Sequence, residues 1–260
     1  LNGSYYGISY FKGRWYALNR YSRNDYDNRI ISFCASLDQK SINQRIELRK
    51  LPPGCHQIDF IDDLLYLTDT YNNRVVTIDM VERRIVQEFY PAGTLTNGRS
   101  SNNYVHCNSI FRSNGKFHLI FHNRTSRTGI NSEIVSTDKN FNIVDRIRIN
   151  EGDVHNIFRL NGRTVYCGSN RGTLIENSKE VFKCKYLTRG LSISQNSVVV
   201  GGSQFSSRED RLGSRGVVYF LDKEYKLVYT MKMPAPVYEV RRIDKEDFCM
   251  SNSIKVNNYE

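Results

Sequence analysis

The run Leu65-Tyr66-Leu67-Thr68-Asp69-Thr70-Tyr71-Asn72-Asn73-Arg74-Val75-Val76-Thr77-Ile78-Asp79 decides the fold. Its two ends are short and rich in β-branched and aromatic residues, the composition that suits a pleated, half-buried surface. The Asp, Thr and Asn residues between them are turn formers. Working outward, Asp62-Asp63 precedes this pair of strands as a hairpin turn. Lys12-Gly13, Asn114-Gly115, Asn161-Gly162, Gln195-Asn196 and Lys245-Glu246 hold the same place between other apolar runs. Nowhere does an apolar 3.6-residue period persist through three turns, so helices are expected to be scarce. The chain reads as an all-β antiparallel meander.

The meander repeats. Tyr6-Gly7-Ile8, His56-Gln57-Ile58, His106 to Ile110, His155-Asn156-Ile157, Arg189-Gly190-Leu191 and Tyr238-Glu239-Val240 share one frame, their lead residues 50, 50, 49, 34 and 49 positions apart. Each is followed by a hairpin turn, a strand and a polar loop usually holding Asn or Arg. Four antiparallel strands per roughly 40–50 residues make a propeller blade. The fourth unit is short, and the fifth carries an insertion from Gln204 to Arg215. Residues 236–260 supply material for a sixth, so six blades are expected, with Leu1 to Tyr5 helping to close the ring. Five blades and a C-terminal appendage are the alternative. Residues 1–260 form a single domain on either count.

The opening run resembles the NHL-type repeat: a strand, an Asp, a small turn with Asn and Arg, then a β-branched strand. The match is good over about 15 residues, partial in units one and four, and weak in three and five. It implies kinship with six-bladed NHL and gluconolactonase-like propellers. That group includes RNA-binding modules, protein-interaction platforms, lactone hydrolases and lyases, so the resemblance does not choose a function.

Composition narrows the classes. The 260 residues carry a net charge of +10 and are 12% aromatic. The aromatic content is too high for disorder, and no apolar run approaches the roughly 18 residues of a membrane helix. The positive balance favours anionic partners: small anions, acidic glycans or nucleic acid. The six cysteines have no close pairing that reads as a zinc or redox motif. They are expected to be free thiols, in a cytoplasmic protein. The sequence begins at Leu1, so a leader is outside what it can speak to.

In a propeller the first strand of each blade lines the axis, so Tyr6, His56, His106, His155, Arg189 and Tyr238 should converge there. Arg189 would hold an anion through paired hydrogen bonds, the imidazoles would donate or shuttle a proton, and the tyrosines would form walls. Three imidazoles are also a ligand set for zinc or iron, with no metal favoured. The calcium sites that the resemblance implies need acidic ligands, which the lead positions lack. His122 to Arg127, with Arg124, and the insertion residues Arg208, Arg211 and Arg215 would extend a positive rim. A Cys–His nucleophile using Cys55 or Cys107 is disfavoured because neighbouring strand residues face opposite ways. The charges of Glu82-Arg83-Arg84, Arg146 to Arg148 and Arg241-Arg242 read as exposed outer edges. The expected function is an axial ligand site for an anionic small molecule or acidic sugar, enzymatic or not. Alternatives are a basic platform for nucleic acid or protein, and a metal-dependent hydrolase or lyase.

Overall fold

Three of the predicted turns, Lys12-Gly13, Asn114-Gly115 and Asn161-Gly162, have both residues at positive φ. This is the type I′ geometry whose twist matches that of paired strands. Each therefore folds its flanking runs into a tight hairpin, and those hairpins start blades. The structure, a computed structural model, describes residues 3–20, 27–35, 43–207, 210–243 and 246–252.

The first blade comprises β1 (Ser4–Phe11), β2 (Arg14–Arg20), β3 (Asn28–Phe33) and β4 (Gln44–Leu51). The second is β5 (Ile58–Ile61), β6 (Leu64–Asp69), β7 (Arg74–Asp79) and β8 (Arg84–Phe89). The third is β9 (Cys107–Ser113), β10 (Lys116–Phe121), β11 (Glu133–Thr137) and β12 (Ile143–Arg148). The fourth is β13 (Val154–Leu160), β14 (Arg163–Gly168), β15 (Thr173–Glu176) and β16 (Lys179–Lys183). The fifth is β17 (Leu187–Ile193), β18 (Ser197–Ser203), β19 (Gly216–Asp222) and β20 (Leu227–Met233). All five are sequential antiparallel sheets. Among the described residues the only α-helix is one turn, Thr125–Thr128, and no helix is long and apolar enough to cross a membrane.

The turn in the opening run is held by its own side chains. Asp69, fully buried, accepts from Asn72 Nδ2 and from Arg74 Nε at 2.7 Å. Asn73, at φ 59°, donates to the carbonyls of Gly93 and Asn103 and accepts from the Val105 amide. The residues that carry the family resemblance are thus occupied in fixing a turn and seating the link to the next blade.

Blades pack face to face through apolar side chains. Phe11 stacks on Phe60 at 4.4 Å between the first two, and Phe89 on Phe141 at 4.5 Å between the second and third. The largest cluster runs through blades three to five around Phe158, Tyr166 and Val200. A polar belt joins the inner strands. Ser9 Oγ accepts from the Phe60 amide, Gln57 Oε1 from Ile110, Ser109 Oγ from Asn156, and Asn156 Oδ1 from Gly190. Each blade thereby satisfies a backbone donor of the next, which a buried amide requires.

The belt ends at blade five, where the expectation of six blades fails. The structure has five, the stated alternative. Residues 238–240 keep the lead frame of the other units but form no strand. Val237 packs on Val199 and Val218. Glu239 and Arg241, each 3% exposed, turn inward and bond one another at 2.9 Å. Arg241 then reaches the carbonyls of Ile8 in blade one and Leu191 in blade five, so it is no outer-edge charge. The chain continues to Asp247, whose carboxylate accepts from the Arg242 and Cys249 amides and holds a turn in place of a second strand. Ser251 bonds Asp59 on β5 from both its amide and its hydroxyl. Contact with inner strands of blades one, two, four and five places this segment in the axial channel. Ser4 and Tyr5 belong to β1, not to a closing strand; Leu1 lies outside the described residues.

Candidate functional site at the axial mouth

The lead residues owe their positions to bulges. Register shifts fall at Gly7, at Asn156 and across Arg189-Gly190, each at or beside a lead residue. Gly7 at φ 58° and Gly190 at φ 78° supply left-handed backbone there. A bulge re-aims the neighbouring side chain, and here it turns each toward the axis. His106 itself adopts φ 54°, an uncommon conformation of the kind that gathers at functional sites.

The rings form a continuous arc. Tyr238 stacks on Tyr6 with centroids 4.5 Å apart, and Tyr6 meets His56 edge-on at 5.8 Å. His56 and His106 lie 5.0 Å apart, His106 and His122 4.7 Å, and His122 and His155 5.1 Å. Arg189 closes the circle, its guanidinium 6.0 Å from the Tyr238 ring. All six predicted lead residues meet here, although Tyr238 arrives on the closing segment rather than on a blade. His122 is an addition: it follows β10 directly, so it enters from a second strand, and no repeat of lead positions would reveal it.

The hydrogen bonds fix the tautomers. The Thr70 hydroxyl donates to the Cys107 carbonyl at 2.6 Å, so towards His56 it can only accept. His56 Nδ1, 2.9 Å from that hydroxyl and 2.7 Å from the Gly54 carbonyl, therefore carries the proton. Blade four repeats the device. Ser169 donates to the Thr188 carbonyl, and His155 Nδ1 donates to Ser169 Oγ at 2.8 Å and to the Asp153 carbonyl. In both, Nε2 is left as a lone-pair acceptor. His155 Nε2 is buried and has no partner, and its residue is 6% exposed. His122 is reversed: Nδ1 accepts from the Arg124 amide, and Nε2 lies 3.2 Å from the Asp153 carboxylate.

Charge at the mouth resides on arginine. Burial, then Arg20 and Arg189, hold His56 well below the usual histidine range; burial, then Arg189, does the same to His155. His106 is lowered by burial and by the other histidines. These imidazoles are neutral near pH 7. The guanidinium of Arg20 lies 5.1 Å from the Tyr6 ring, and that of Arg124 5.1 Å from the Tyr104 ring, whose hydroxyl bonds His106. The Asp153 carboxylate interacts with Arg189 and is already bonded to Asn170.

No protein-family model matches this sequence, and no curated protein matches it. Solved structures do match in shape. A nidogen/laminin complex aligns with a TM-score of 0.62 at 12% identity, over 91% of this chain and 84% of that one. A calcium-binding protein, regucalcin, from Agrobacterium tumefaciens aligns at 0.55 and 12%, over 91% and 74%. A protein of unknown function from Bacteroides caccae aligns at 0.54 and 11%, over 88% and 81%. What they share is the β-propeller fold. At these identities the likeness extends to the fold alone, in agreement with the resemblance read from the opening run.

Other expected groups lie apart from the ring. Arg215 is exposed just before β19, Arg208 lies outside the described residues, and nothing is described of the Arg211 side chain. All six cysteines are free thiols. Cys55 and Cys107 are buried away from the mouth, and burial raises both thiols, Cys107 to about 12, so neither is a thiolate nucleophile. Among the described residues no three His, Cys, Asp or Glu side chains are disposed to share one metal ion. His118, the fifth histidine, sits outside the arc between Ser113 and Ser136.

Proposed function

We propose that this propeller binds an anionic small molecule rich in hydroxyl groups, of which an acidic sugar is the best fit. The observation that carries the reading is the buried, unpartnered Nε2 of His155. A buried acceptor without a donor costs about 1–3 kcal/mol, a cost that a ligand O–H relieves. Arg189 and Arg20 recognise the anion, His56 and His155 accept from hydroxyls, and Tyr6 and Tyr238 form the wall. The imidazoles thus act as acceptors where the sequence suggested donors. Their lowered basicity supports binding better than proton abstraction, which wants a base tuned near the working pH. Calcium, named for the Agrobacterium protein, does not fit here: it requires six to eight oxygens, and this ring presents imidazole, phenol and guanidinium. The zinc or iron reading gains no ligand set among the described residues.

Calorimetric titration of the whole chain with D-galacturonate and with D-galactose tests this reading. The acid should bind, the neutral sugar should bind at least tenfold more weakly, and His155→Ala should weaken the acid. Equal affinity for the two sugars, or none for either, would overturn it.

A further inference from the structure

The outermost strand of blade five, β20, overhangs both of its neighbours. Phe182 on β16 meets Tyr219 on β19 with ring centroids 5.2 Å apart, so the outer strand of blade four reaches only the third strand of blade five. On the other side, Val237 of the closing segment packs on Val199 and Val218 of β18 and β19, and the chain then turns to the axis. Neither neighbour covers β20. Its register sets Thr230 beside Tyr219 on one face, and Tyr229 and Met231 beside Phe220 and Val218 on the other. Thr230 and Met231 are exposed, Tyr229 is 59% exposed, and Val228, at the register shift near the start of the strand, is 70% exposed. The four other outer strands each carry cations and a carboxylate, Glu47, Glu88, Asp145 and Glu180. Such charges keep a sheet edge from templating a foreign strand. The sole charge on β20 is Lys232. β20 is the last strand of its sheet, so its outer backbone edge meets no further strand among the described residues.

We propose that β20 is a docking edge for an acidic, extended segment of a partner protein, which adds to blade five as a further strand. Main-chain hydrogen bonds to a bare edge supply affinity in this mode, and alternate side chains supply specificity. Apolar side chains opposite Tyr229 and Met231 would cover surface that the fold leaves in water. Charge selects the partner. Lys226 directly precedes the strand, Lys232 lies within it, and Arg215 adjoins the Gly216 that pairs with Met233. All three are exposed, and none forms an ion pair among the described residues. The nearby carboxylates are engaged: Asp222 accepts from the Glu224 and Lys226 amides, and Glu224 pairs with Lys223 at 3.6 Å. This positive fringe favours a segment with Asp or Glu beside its apolar positions. It opposes pairing with a second copy, which would bring the same lysine-bearing edge and the same net charge of +10. The edge lies on the outside of blade five, and docking there is independent of the axial ligand.

The test measures fluorescence anisotropy of a labelled peptide of alternating valine and threonine with glutamates at both ends. Its controls are the same peptide with terminal lysines and a version with proline at its centre, which cannot complete the ladder. The glutamate peptide should bind the whole chain about tenfold tighter than either control. Met231→Glu, at an exposed position, should weaken it by about tenfold. Val144→Glu, at an exposed position on β12, should leave it unchanged. Lys226→Glu with Lys232→Glu should reverse the preference in favour of the lysine peptide, a gain that misfolding would not produce. Without peptide, sedimentation should show a monomer. No binding of the glutamate peptide overturns the docking edge, and so does equal binding of the proline peptide, which shows that no strand is added. Equal binding of the lysine peptide overturns the acidic partner. A loss shared by Val144→Glu marks diffuse attraction and overturns the site. A dimer that Met231→Glu disperses overturns it in favour of a second copy.

Discussion

Arg241 donates from Nε to the carbonyl of Ile8, 3.1 Å away in space and 233 residues earlier in the chain. The same guanidinium bonds the Leu191 carbonyl and Glu239, so one buried cation ties the last blade to the first. Removing one partner of a buried ion pair strands the other charge and costs about 3–5 kcal/mol. Arg241→Ala should therefore lower stability by that order in urea unfolding. Glu239→Gln with Arg241→Met should cost less than Arg241→Ala alone, because no carboxylate is stranded. A single variant as stable as wild type would show that the segment does not close the ring.

Gly190 tests the bulge. At φ 78° an added Cβ is strained, and it would lie 2.8 Å from the Val240 amide nitrogen. Gly190→Ala should destabilise by more than about 1 kcal/mol. It should also weaken galacturonate binding, since the bulge aims Arg189. Thermal melting and calorimetry on the same sample separate the two effects. Unchanged affinity in a folded variant would detach the bulge from the site.

The sequence showed the blades because hairpin turns and strand alternation are local, and the recurrence of Tyr6, His56, His106, His155 and Arg189 showed the axis. It misled at Tyr238-Glu239-Val240, which keeps the lead frame of the blades although Glu239 and Arg241 face a buried channel and no strand forms. From the sequence His122 reads as part of the rim loop rather than of the ring, and Arg20 is not singled out as a site residue, because how closely second-strand ends approach the axis is set only once the blades are assembled. The tautomers of His56 and His155 depend on Thr70 and Ser169 donating to neighbouring blades, contacts that no spacing encodes.

Acid should unfold the protein through its histidines. His56, His106 and His155 titrate below 6.5 when folded, so between that value and their folded ones the unfolded chain binds protons that the folded one does not. Stability is then full above pH 6.5 and falls as pH drops. His118, held at about 4 chiefly by burial, contributes up to about 3 kcal/mol of that loss. Burial raises Asp59, Asp69, Glu151, Asp153 and Glu239, an effect that opposes the trend and grows as pH falls from their raised values towards their ordinary 3.8 and 4.5, whereas the histidine loss already begins at 6.5. Urea midpoints should therefore decline from pH 7 to pH 5. A midpoint flat or rising over that interval would contradict the buried, neutral imidazoles.

Ser169 decides what His155 offers a ligand. Because its hydroxyl proton goes to Thr188, it draws the imidazole proton to Nδ1. Nitrogen NMR of labelled histidines at pH 7 should show unprotonated Nε2 in His56 and His155, and protonated Nε2 in His122, whose Nδ1 accepts from the Arg124 amide. Ser169→Ala removes one of the two acceptors at His155 Nδ1 and leaves only the Asp153 carbonyl, 3.1 Å away. Some of the His155 signal should then move to the Nε2-protonated form, with a several-fold loss of galacturonate affinity. Thr70→Val should do the same to His56 and leave His155 unmoved. If galacturonate binds while both Nε2 atoms carry protons, the hydroxyl-acceptor role is wrong, and the imidazoles are donors to the anion after all.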